Sequence, residues 1–412
     1  MSDCLKSIPH EESLDGLQSF LERAVSRSVI GLGESTHGTR EAFQLKHRLI
    51  RALAEQRGLR TVAFECGFAA GRLVDGYVRW GLGSAREALG QQGYWCWENL
   101  EVLELIEWLR KHNSELPSDE RIAFVGIDVQ KVESGLSELL AAFDRGVYGP
   151  EQDPAADGPG AQILLDAAGV IRSLMAGKLE AGDPEAAPAV RTLFEAAPRL
   201  PEPGLTALCR NVARYIDTYL NTEREDGLAV RDEYLAATVL EVLAESPGLM
   251  VIWAHNEHVA VNPDFFGTRA MGHHLREALG ETYLAVGMLF GAGAFLARSW
   301  GERSSNRVDE FRVGRAGEGH VEHCFLAKPF GLYGSTMIQT AAGAQYRRYL
   351  GSLYDPKVDA EHPDAFRIER PLTDFDLLAW LPVTHAARYL GDSGSPPGKM
   401  RRGGAVPVES TD

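Results

Sequence analysis

The sequence predicts an α/β fold in which helices flank a central mixed, largely parallel sheet, with a mostly helical insertion. Short apolar runs alternate along most of the chain with longer segments in which apolar residues recur at helical spacing. Strands that alternate with helices in this way pair in parallel through right-handed crossovers. Residues 149–203, rich in Pro, Gly and Ala, interrupt the alternation. We therefore interpret this segment as part of an insertion over the sheet.

The N-terminal part of the chain supplies three predicted strands and the helices around them. The strands are residues 28–32, 60–65 and 122–128. The helices are residues 14–24, 39–55, 68–80, 100–112 and 132–143. In the second helix the apolar residues fall at i, i+3, i+4 and i+7, and Gly58 ends it. Ser35, Thr36 or Thr39 can serve as its N-cap.

The C-terminal part continues the alternation and then weakens. The predicted helices are residues 205–221, 230–243 and 270–279, and the predicted strands are residues 249–254 and 283–290. We expect residues 293–298 to pair with the fifth strand as a hairpin. Residues 322–325 and 377–381 are predicted edge strands.

The alternation of elements also predicts how the domain is organised. We expect a single domain over residues 1–391, with the helical insertion at about residues 146–245. Residues 392–412 are rich in Gly, Pro and Ser, a composition typical of disorder.

Composition excludes several classes of partner. The 412 residues include 42 basic and 58 acidic side chains, which gives a net charge of −16. This charge argues against sequence-independent binding to nucleic acid or to anionic membranes, because such binding depends on basic patches. No apolar run approaches the ~20 residues of a membrane span, and the polar N-terminus lacks the apolar core of a signal peptide. We therefore expect a cytoplasmic protein, and its oligomeric state is left open.

Acidic and histidine residues follow the ends of four predicted strands. They are Glu34 and His37 after the first strand, Glu65 at the end of the second, Asp128 at the end of the third, and His255 and His258 after the fourth. Because the carboxyl ends of parallel strands meet at one edge of a sheet, we expect these side chains to converge. A carboxylate raises the pKa of a neighbouring histidine and fixes its tautomer, and that histidine can then take a proton from water.

Each of these residues also has a structural interpretation. Glu34 can cap the following helix, which is worth about 1 kcal/mol, Glu65 can be a buried acid paired with an arginine, and Asp128 can be a turn residue. Arg40 and Arg231 can stabilise an oxyanion or hold a carboxylate, or they can form surface salt bridges of little energy. The coincidence of so many groups at one edge favours an acid–base site.

Other mechanisms find less support in the sequence. Two histidines and two carboxylates could bind a divalent metal, but His255 and His258 are three residues apart after a strand, and no HExxH helix occurs. We therefore expect no cofactor and do not favour a metal. The five cysteines never form a CxxC pair. No GxSxG sequence supplies a serine nucleophile, and the acid next to Cys66 disfavours a thiolate there.

Several segments, in order along the chain, resemble the erythromycin esterase family over about residues 25–385. They are GESTHGTRE at 33–41, FQLK at 43–46, FE at 64–65, YWCWEN at 94–99 followed by Glu101, GIDVQ at 126–130, VRD at 230–232, WAHNEHV at 253–259, MG at 271–272 and FD at 375–376. The resemblance implies an α/β fold with a central sheet and a helical insertion. It also implies hydrolysis of a macrolactone ester by a water that histidine activates, without an obligatory metal.

The resemblance assigns roles to individual residues. His37 would be the general base, Glu65 would orient or polarise it, and His255 would be the second essential imidazole. The supporting groups would be Glu34, Arg40, Arg231 and His258. Trp95 and Trp97 would help to wall a large hydrophobic pocket, although aromatic clusters also occur as plain core.

Three hypotheses about function follow. The first is a hydrolase that cleaves an ester or lactone of a small molecule, with a macrolide as one possible substrate. The second is a tailoring enzyme of natural-product biosynthesis that uses the same acid–base pair for acyl transfer, dehydration or cyclisation of a peptide or polyketide. The third is a non-catalytic protein that sequesters a hydrophobic ligand. The sequence leaves the substrate open, because the same site can act on another ester, lactone or amide.

Overall fold

A computed structural model describes the fold over most of the chain. The described residues are 14–147, 159–200, 202–221, 227–262, 268–299, 307–334, 346–369 and 372–390. The predicted disordered tail at residues 392–412 lies outside them. In the described part, no helix is long and apolar enough to cross a membrane.

The strands form one large mixed sheet and one small sheet. The strands are β1 (Val29–Leu32), β2 (Leu59–Gly67), β3 (Ala123–Asp128), β4 (Leu249–Trp253), β5 (Tyr283–Ser299), β6 (Val308–Val313), β7 (Gly331–Gly334), β8 (Tyr346–Arg348), β9 (Leu353–Tyr354), β10 (Arg367–Glu369) and β11 (Leu377–Thr384). The order in the large sheet is β3-β2-β4-β1-β5-β11-β7, and β6 and β9 pair with β5. Strands β3 to β11 of this order run parallel, whereas β7 and β6 are antiparallel to their partners. Strands β8 and β10 form the small antiparallel sheet.

Helices connect and cover these strands. They are α1 (Leu14–Ala24), α2 (Arg40–Arg57), α3 (Phe68–Trp80), α4 (Ala85–Gly90), α5 (Leu100–Ser114), α6 (Glu133–Val147), α7 (Pro159–Met175), α8 (Ala186–Ala196), α9 (Pro203–Tyr219), α10 (Gly227–Glu245), α11 (Asn256–Val259), α12 (Met271–Leu279), α13 (Val321–Phe325) and α14 (Pro356–Glu361). Short 3₁₀ turns occur at Ala197–Arg199, Gly280–Thr282, Pro363–Phe366 and Leu372–Asp374.

The large sheet is buried on both faces. In β4, Val251 and Trp253 pack into the hydrophobic layer that contains α2 and α5, whereas Met250 and Ile252 pack into the layer that contains α10 and α12. This division follows from the two-residue period of a strand. Because both faces are covered, the strand sequences are continuous apolar runs rather than alternating ones.

Helices α7 to α10 occupy the part of the chain that we interpret as a helical insertion. Helices α6 to α9 share their own apolar cluster, in which Phe143, Ile171, Leu193 and Leu208 are buried. The cluster also includes Phe68 of α3, so these helices dock on a helix that covers the sheet. That residues 1–391 form one domain stays a prediction.

The first five predicted strands are confirmed, and three predictions about later elements are wrong. Residues 293–298 do not turn back on the fifth strand but continue it, so β5 runs unbroken to Ser299 and pairs with β6. Residues 322–325 belong to α13, which is too short to show helical periodicity. Residues 377–381 do form a strand, but β11 lies between β5 and β7 rather than at an edge.

The N-cap of α2 also differs from expectation. Thr39 holds the N-cap position with extended backbone angles (φ −106°, ψ 117°), but its side chain makes no capping hydrogen bond. The Ser35 hydroxyl instead donates to the carbonyl of Met288, and the Thr36 hydroxyl accepts from the backbone N–H of Gly38 at 3.2 Å. The residues between β1 and α2 are therefore held by tertiary contacts rather than by a cap.

Candidate active site

Sheet register brings three strand ends to one place. Leu32 of β1 and Phe64 of β2 both pair with Trp253 of β4. The residues that follow this row are therefore neighbours, and among them are Glu65 and His255. The backbone N–H of His255 donates to Oε2 of Glu65 at 2.8 Å, although the two residues are 190 positions apart. The structure therefore brings the ends of β2 and β4 into direct contact through this hydrogen bond, as the convergence at the carboxyl edge requires.

His37 is oriented by Glu34. Nδ1 of His37 lies 2.8 Å from Oε1 of Glu34, whose side chain is fully buried. A carboxylate partner places the proton on Nδ1, which leaves the lone pair of Nε2 available. The His37 side chain is 11% exposed, so it is reachable from outside the core. The resemblance implies that Glu65 orients or polarises His37, whereas the structure places Glu34, not Glu65, beside Nδ1.

Lys46 completes this group and was not predicted as a site residue. Its ammonium donates to Oε2 of Glu34 at 2.6 Å and to the carbonyl of Ala254 at 3.1 Å. Burial lowers the pKa of Lys46 to about 8, although the charge of Glu34 opposes the shift. The signal for Lys46 is in the sequence, because it lies with Ala42 and Ile50 on the apolar face of a helix. A lysine on such a face needs a buried partner.

The second imidazole, His255, is buried and neutral. Its side chain caps α11, with Nδ1 accepting the backbone N–H of Glu257 at 3.4 Å. The proton of the neutral ring is therefore on Nε2, a buried atom that has no hydrogen-bond partner among the described residues. Burial, helped by His37, lowers the pKa of His255 to about 4. The rings of His255 and His37 are adjacent, with 5.1 Å between their centroids.

Glu65 belongs to a second cluster, centred on Arg231. Arg231 makes a bidentate ion pair with Asp128, at 3.1 Å from Nε and 2.7 Å from Nη2, and Nη2 is also 3.1 Å from Glu65. All three side chains are buried, so Asp128 acts as a partner of Arg231 rather than as a turn residue alone. Burial alone would raise the pKa of Glu65, but His258 and other cations hold it well below its usual range.

His258 joins this cluster as a cation. Its Nδ1 lies 2.8 Å from Asp232, and its Nε2 lies 3.2 Å from Glu65. Burial alone would lower the pKa of His258, but the charges of Asp232 and Glu65 raise it to about 10. Nδ1 of His258 therefore faces Asp232, and Nε2 faces both Glu65 and, at 3.1 Å, Nη1 of Arg231. His258 and Arg231 hold Glu65, which in turn holds the backbone of His255.

The remaining predicted residues divide between the site and the core. Trp97 contacts the His37 ring edge-on at a centroid distance of 5.4 Å, and its Nε1 donates to the carbonyl of Glu65 at 2.9 Å. Trp95 is buried in the apolar core on the same side of the sheet. Of the roles that the sequence leaves open for Arg40, the structure shows an ion pair with a carboxylate, because its Nε lies 3.7 Å from Glu101 of helix α5.

A buried ion triad behind His255 was also missed by the sequence analysis. Arg347 of β8 pairs with Glu257 of α11 and with Asp374, and all three side chains are at most 1% exposed. Tyr349 follows directly after β8 and packs edge-on against His255, with 5.6 Å between the ring centroids. Nothing in the local pattern around Arg347 marks it, because its partners are about 27 and 90 residues away.

Metal and thiolate chemistry find little support at this edge. Among the described ranges, no group of three or more His, Cys, Asp or Glu side chains is arranged to hold a metal ion. Burial raises the pKa of the Cys66 thiol well above its usual value, and Asp128 and Glu65 add to the shift. A thiolate nucleophile at Cys66 is therefore disfavoured, as the sequence predicted.

Gly38 connects the His37 loop to β5, and its substitution tests that connection. A Cβ at Gly38 would overlap the backbone of Leu296. We expect Gly38→Ala to lower the free energy of unfolding by about 1–3 kcal/mol. Gly169→Ala is the control, because a Cβ at that position in α7 meets no atom within 4 Å and is expected to stabilise by about 0.5–1 kcal/mol. Equal urea midpoints for the two variants would contradict the close packing at Gly38.

The stability of the protein in acid tests the state of His255. Its pKa of about 4 in the folded state is below the unfolded value of 6.5. Stability present at neutral pH is therefore lost as the pH falls through this window, by about 3 kcal/mol. We expect His255→Asn to lose about 3 kcal/mol less than the wild type between neutral pH and about pH 4, measured by urea unfolding.

His47→Asn is the matched control for this measurement. His47 is also buried, its pKa is lowered to about 4, and it packs against Trp108 rather than in the site. Both variants are expected to remove part of the acid-dependent loss, whereas only His255→Asn should reduce activity. An acid profile of His255→Asn that matches the wild type would show that His255 is not held neutral.

The fold and the site together define an α/β enzyme with paired imidazoles at the carboxyl edge of its sheet. The chain belongs to the erythromycin esterase family, whose model matches residues 54–384. It is therefore an esterase-type hydrolase. The matched stretch includes Glu65, Asp128, Arg231 and His255, whereas Glu34 and His37 precede it.

Individual relatives agree with this assignment. The chain is 26% identical over 336 residues to erythromycin esterase type II of Escherichia coli, a match that covers 71% of this chain and 77% of that protein. Its fold is similar to the crystal structure of a succinoglycan biosynthesis protein (TM-score 0.72, 18% identity, 93% of each chain). It is also similar to an open-conformation structure of a variant of the erythromycin esterase EreC (TM-score 0.64, 16% identity, 92% of this chain and 95% of that one).

Proposed function

We propose that the protein hydrolyses an ester or lactone with a water molecule that His37 deprotonates. The observation that carries the proposal is the hydrogen bond between Nδ1 of His37 and the fully buried Glu34. This bond fixes the tautomer in which Nε2 is the base. It also stabilises the imidazolium that forms when the water gives up its proton.

The proton can be followed through the reaction. Water attacks the carbonyl carbon while its proton passes to Nε2 of His37, and a tetrahedral oxyanion forms. Collapse of this intermediate breaks the bond to the leaving oxygen, which takes the proton back from Nε2. The products are a carboxylic acid and an alcohol, and His37 returns to its starting state. In a lactone both products stay in one molecule, which gains one water.

His255 is suited to stabilise the oxyanion. Its Nε2 carries a proton, is buried and has no hydrogen-bond partner within the described structure. Its ring lies beside that of His37, with 5.1 Å between the centroids, so a substrate carbonyl bound next to both rings can accept from Nε2. A donor in such a water-poor position contributes most when negative charge develops on the oxygen. Arg231 takes no direct part, because Asp128 and Glu65 occupy its guanidinium.

Macrolide lactones are the first substrates to test, since the Escherichia coli relative is an erythromycin esterase. We expect a macrolide or another lactone to gain the mass of one water when incubated with the enzyme, as read by mass spectrometry. Loss of one water instead would support a tailoring enzyme that dehydrates or cyclises its substrate. Binding without turnover that survives loss of both His37 and His255 would contradict the hydrolase proposal.

A further inference from the structure

Three polar side chains from distant segments form a row of hydrogen bonds, which we call the tyrosine–glutamine row. The Tyr94 hydroxyl donates to Oε1 of Gln130 at 2.7 Å, and Nε2 of Gln130 donates to the hydroxyl oxygen of Tyr219 at 2.7 Å. Tyr94 lies between α4 and α5, Gln130 follows β3, and Tyr219 is the last residue of α9. All three side chains are partly exposed, so a ligand can reach them.

The row lies next to the proposed active site. The backbone N–H of Trp97, whose ring contacts His37, donates to the carbonyl of Tyr94 at 3.2 Å. The backbone N–H of Gln130 donates at 3.2 Å to Oδ1 of Asp128, the residue that ends β3. Ligands of parallel sheets bind beyond the carboxyl ends of the strands. The row is therefore in a position to form one side of the substrate site.

The backbone that carries Gln130 is constrained. Lys131 has a φ of 58°, in the left-handed region that residues with a Cβ rarely adopt. A Cβ at Gly67 would lie 2.7 Å from the carbonyl oxygen of Gln130, so the end of β2 packs directly against this turn. From α9, Nδ2 of Asn211 donates to the carbonyl of Asp128 at 3.1 Å and ties the helical segment to the same turn. Backbone held in this way is common at ligand-binding sites.

The row ends in a hydrogen-bond donor. Because Gln130 donates to the oxygen of Tyr219, the hydroxyl proton of Tyr219 remains available, and it has no acceptor among the residues that the structure describes. Burial raises the pKa of Tyr219 to about 12, so the hydroxyl keeps this proton at neutral pH. The hydrogen bonds that precede it polarise the hydroxyl and make it a better donor. The tyrosine rings add apolar surface beside it.

We propose that the tyrosine–glutamine row determines substrate specificity, and that the Tyr219 hydroxyl donates to an uncharged oxygen of a polyoxygenated ester or lactone. The members of the row are neutral, and the nearby Arg231 is already engaged by carboxylates. The exposed ammonium of Lys131 lies over the Tyr94 ring, at the other end of the row. A hydroxyl, ether or ketone oxygen therefore suits this position better than a carboxylate. The proposal rests on the ester hydrolysis proposed for His37, and it names the substrate class of that site.

Steady-state kinetics of Tyr219→Phe test the proposal with two substrates, the lactone that the enzyme turns over fastest and phenyl acetate, whose only oxygens are those of the ester. We expect KM for the lactone to rise about five- to tenfold while kcat changes less, because the lost hydrogen bond is made in the ground state as well as in the transition state. The ratio of kcat/KM between lactone and phenyl acetate should fall to the same extent. A purely structural defect would lower kcat/KM for both esters alike.

Tyr215→Phe is the matched control. Tyr215 lies one turn earlier in α9, and its ring is 5.5 Å from that of Tyr219, but its hydroxyl is not part of the row. Its lactone KM should stay within about twofold of the wild type. In a series of lactones that each lack one oxygen, the wild type should bind one analogue about five- to tenfold more weakly, and Tyr219→Phe should not distinguish that analogue from the parent.

The outcomes separate this proposal from the one on which it rests. An unchanged lactone KM in Tyr219→Phe, or an equal rise in Tyr215→Phe, would overturn the role of the row and leave hydrolysis at His37 in place. If no ester is turned over, hydrolysis at His37 fails, and titration of tryptophan fluorescence with the same lactones tests the row, because Tyr219→Phe should still weaken binding about five- to tenfold. No binding of any lactone by the wild type would overturn both proposals.

Discussion

His37→Asn is expected to lower kcat for ester hydrolysis by about 10³-fold, within the range that a positioned general base contributes. Asparagine keeps a polar side chain near Glu34 but has no nitrogen that can accept a proton from water. Stability should change little by comparison, because Glu34 keeps its ion pair with Lys46. Single-turnover kinetics on the best ester of the lactone screen, together with urea unfolding, measure both quantities.

The controls separate this role from a general loss of structure. His47→Asn removes a buried imidazole from the same helix–loop region without touching the site, so kcat should stay within about twofold of the wild type. Glu34→Gln keeps the shape but not the charge beside Nδ1, and its kcat should fall between those of the wild type and His37→Asn. Turnover by His37→Asn at the wild-type rate would remove His37 from the mechanism.

Arg231→Met is expected to cause the largest loss of stability, about 3–5 kcal/mol, because it leaves buried Asp128 without its paired arginine and buried Glu65 dependent on His258. Activity should fall as well, since Glu65 holds the backbone of His255. If Arg231→Met does not fold, the free energy of unfolding is measured on Arg231→Lys instead. Lysine keeps the charge but cannot pair with both carboxylates as the forked guanidinium does. Arg231→Lys should therefore lose less stability than Arg231→Met.

Arg72→Met is the matched control for this prediction. Arg72 also makes two hydrogen bonds to one carboxylate, that of Glu138, but both side chains are substantially exposed. Exposed pairs of this kind contribute about 0–1 kcal/mol. Urea unfolding of Arg231→Met and Arg72→Met therefore compares the same arginine–carboxylate pairing in a buried and in an exposed site. Similar losses of stability in the two variants would show that the Arg231 cluster is not effectively buried.

Much of the site was predictable because its members follow strands. An apolar run that ends in an acid or a histidine marks the carboxyl end of a buried strand, and parallel strands bring these ends together. This reasoning correctly predicted that His37 and His255 would be neighbours. It also brought Glu65 and Asp128 to the same edge, where the structure places them in one ion cluster with Arg231 of α10.

The partners within the site were not predictable in the same way. Which carboxylate meets His37 depends on side-chain directions in the loop after β1, and the structure selects Glu34 over Glu65. The burial of Lys46 was predictable, because it is a lysine on the apolar face of a helix, but its partner was not. Arg347 had no local signal at all, because its burial depends on segments that are distant in sequence.

The sequence by itself determined the first five strands, the long helices between them, and which chemically active residues follow the strands. It did so because side-chain periodicity is a local property that reports burial. Only the tertiary structure decided the order of the strands, in which β4 lies between β2 and β1. That order places His255 beside His37 and its backbone on Glu65. Hydrogen-bond partners so far apart in the chain are chosen by packing of the whole sheet, which no local pattern records.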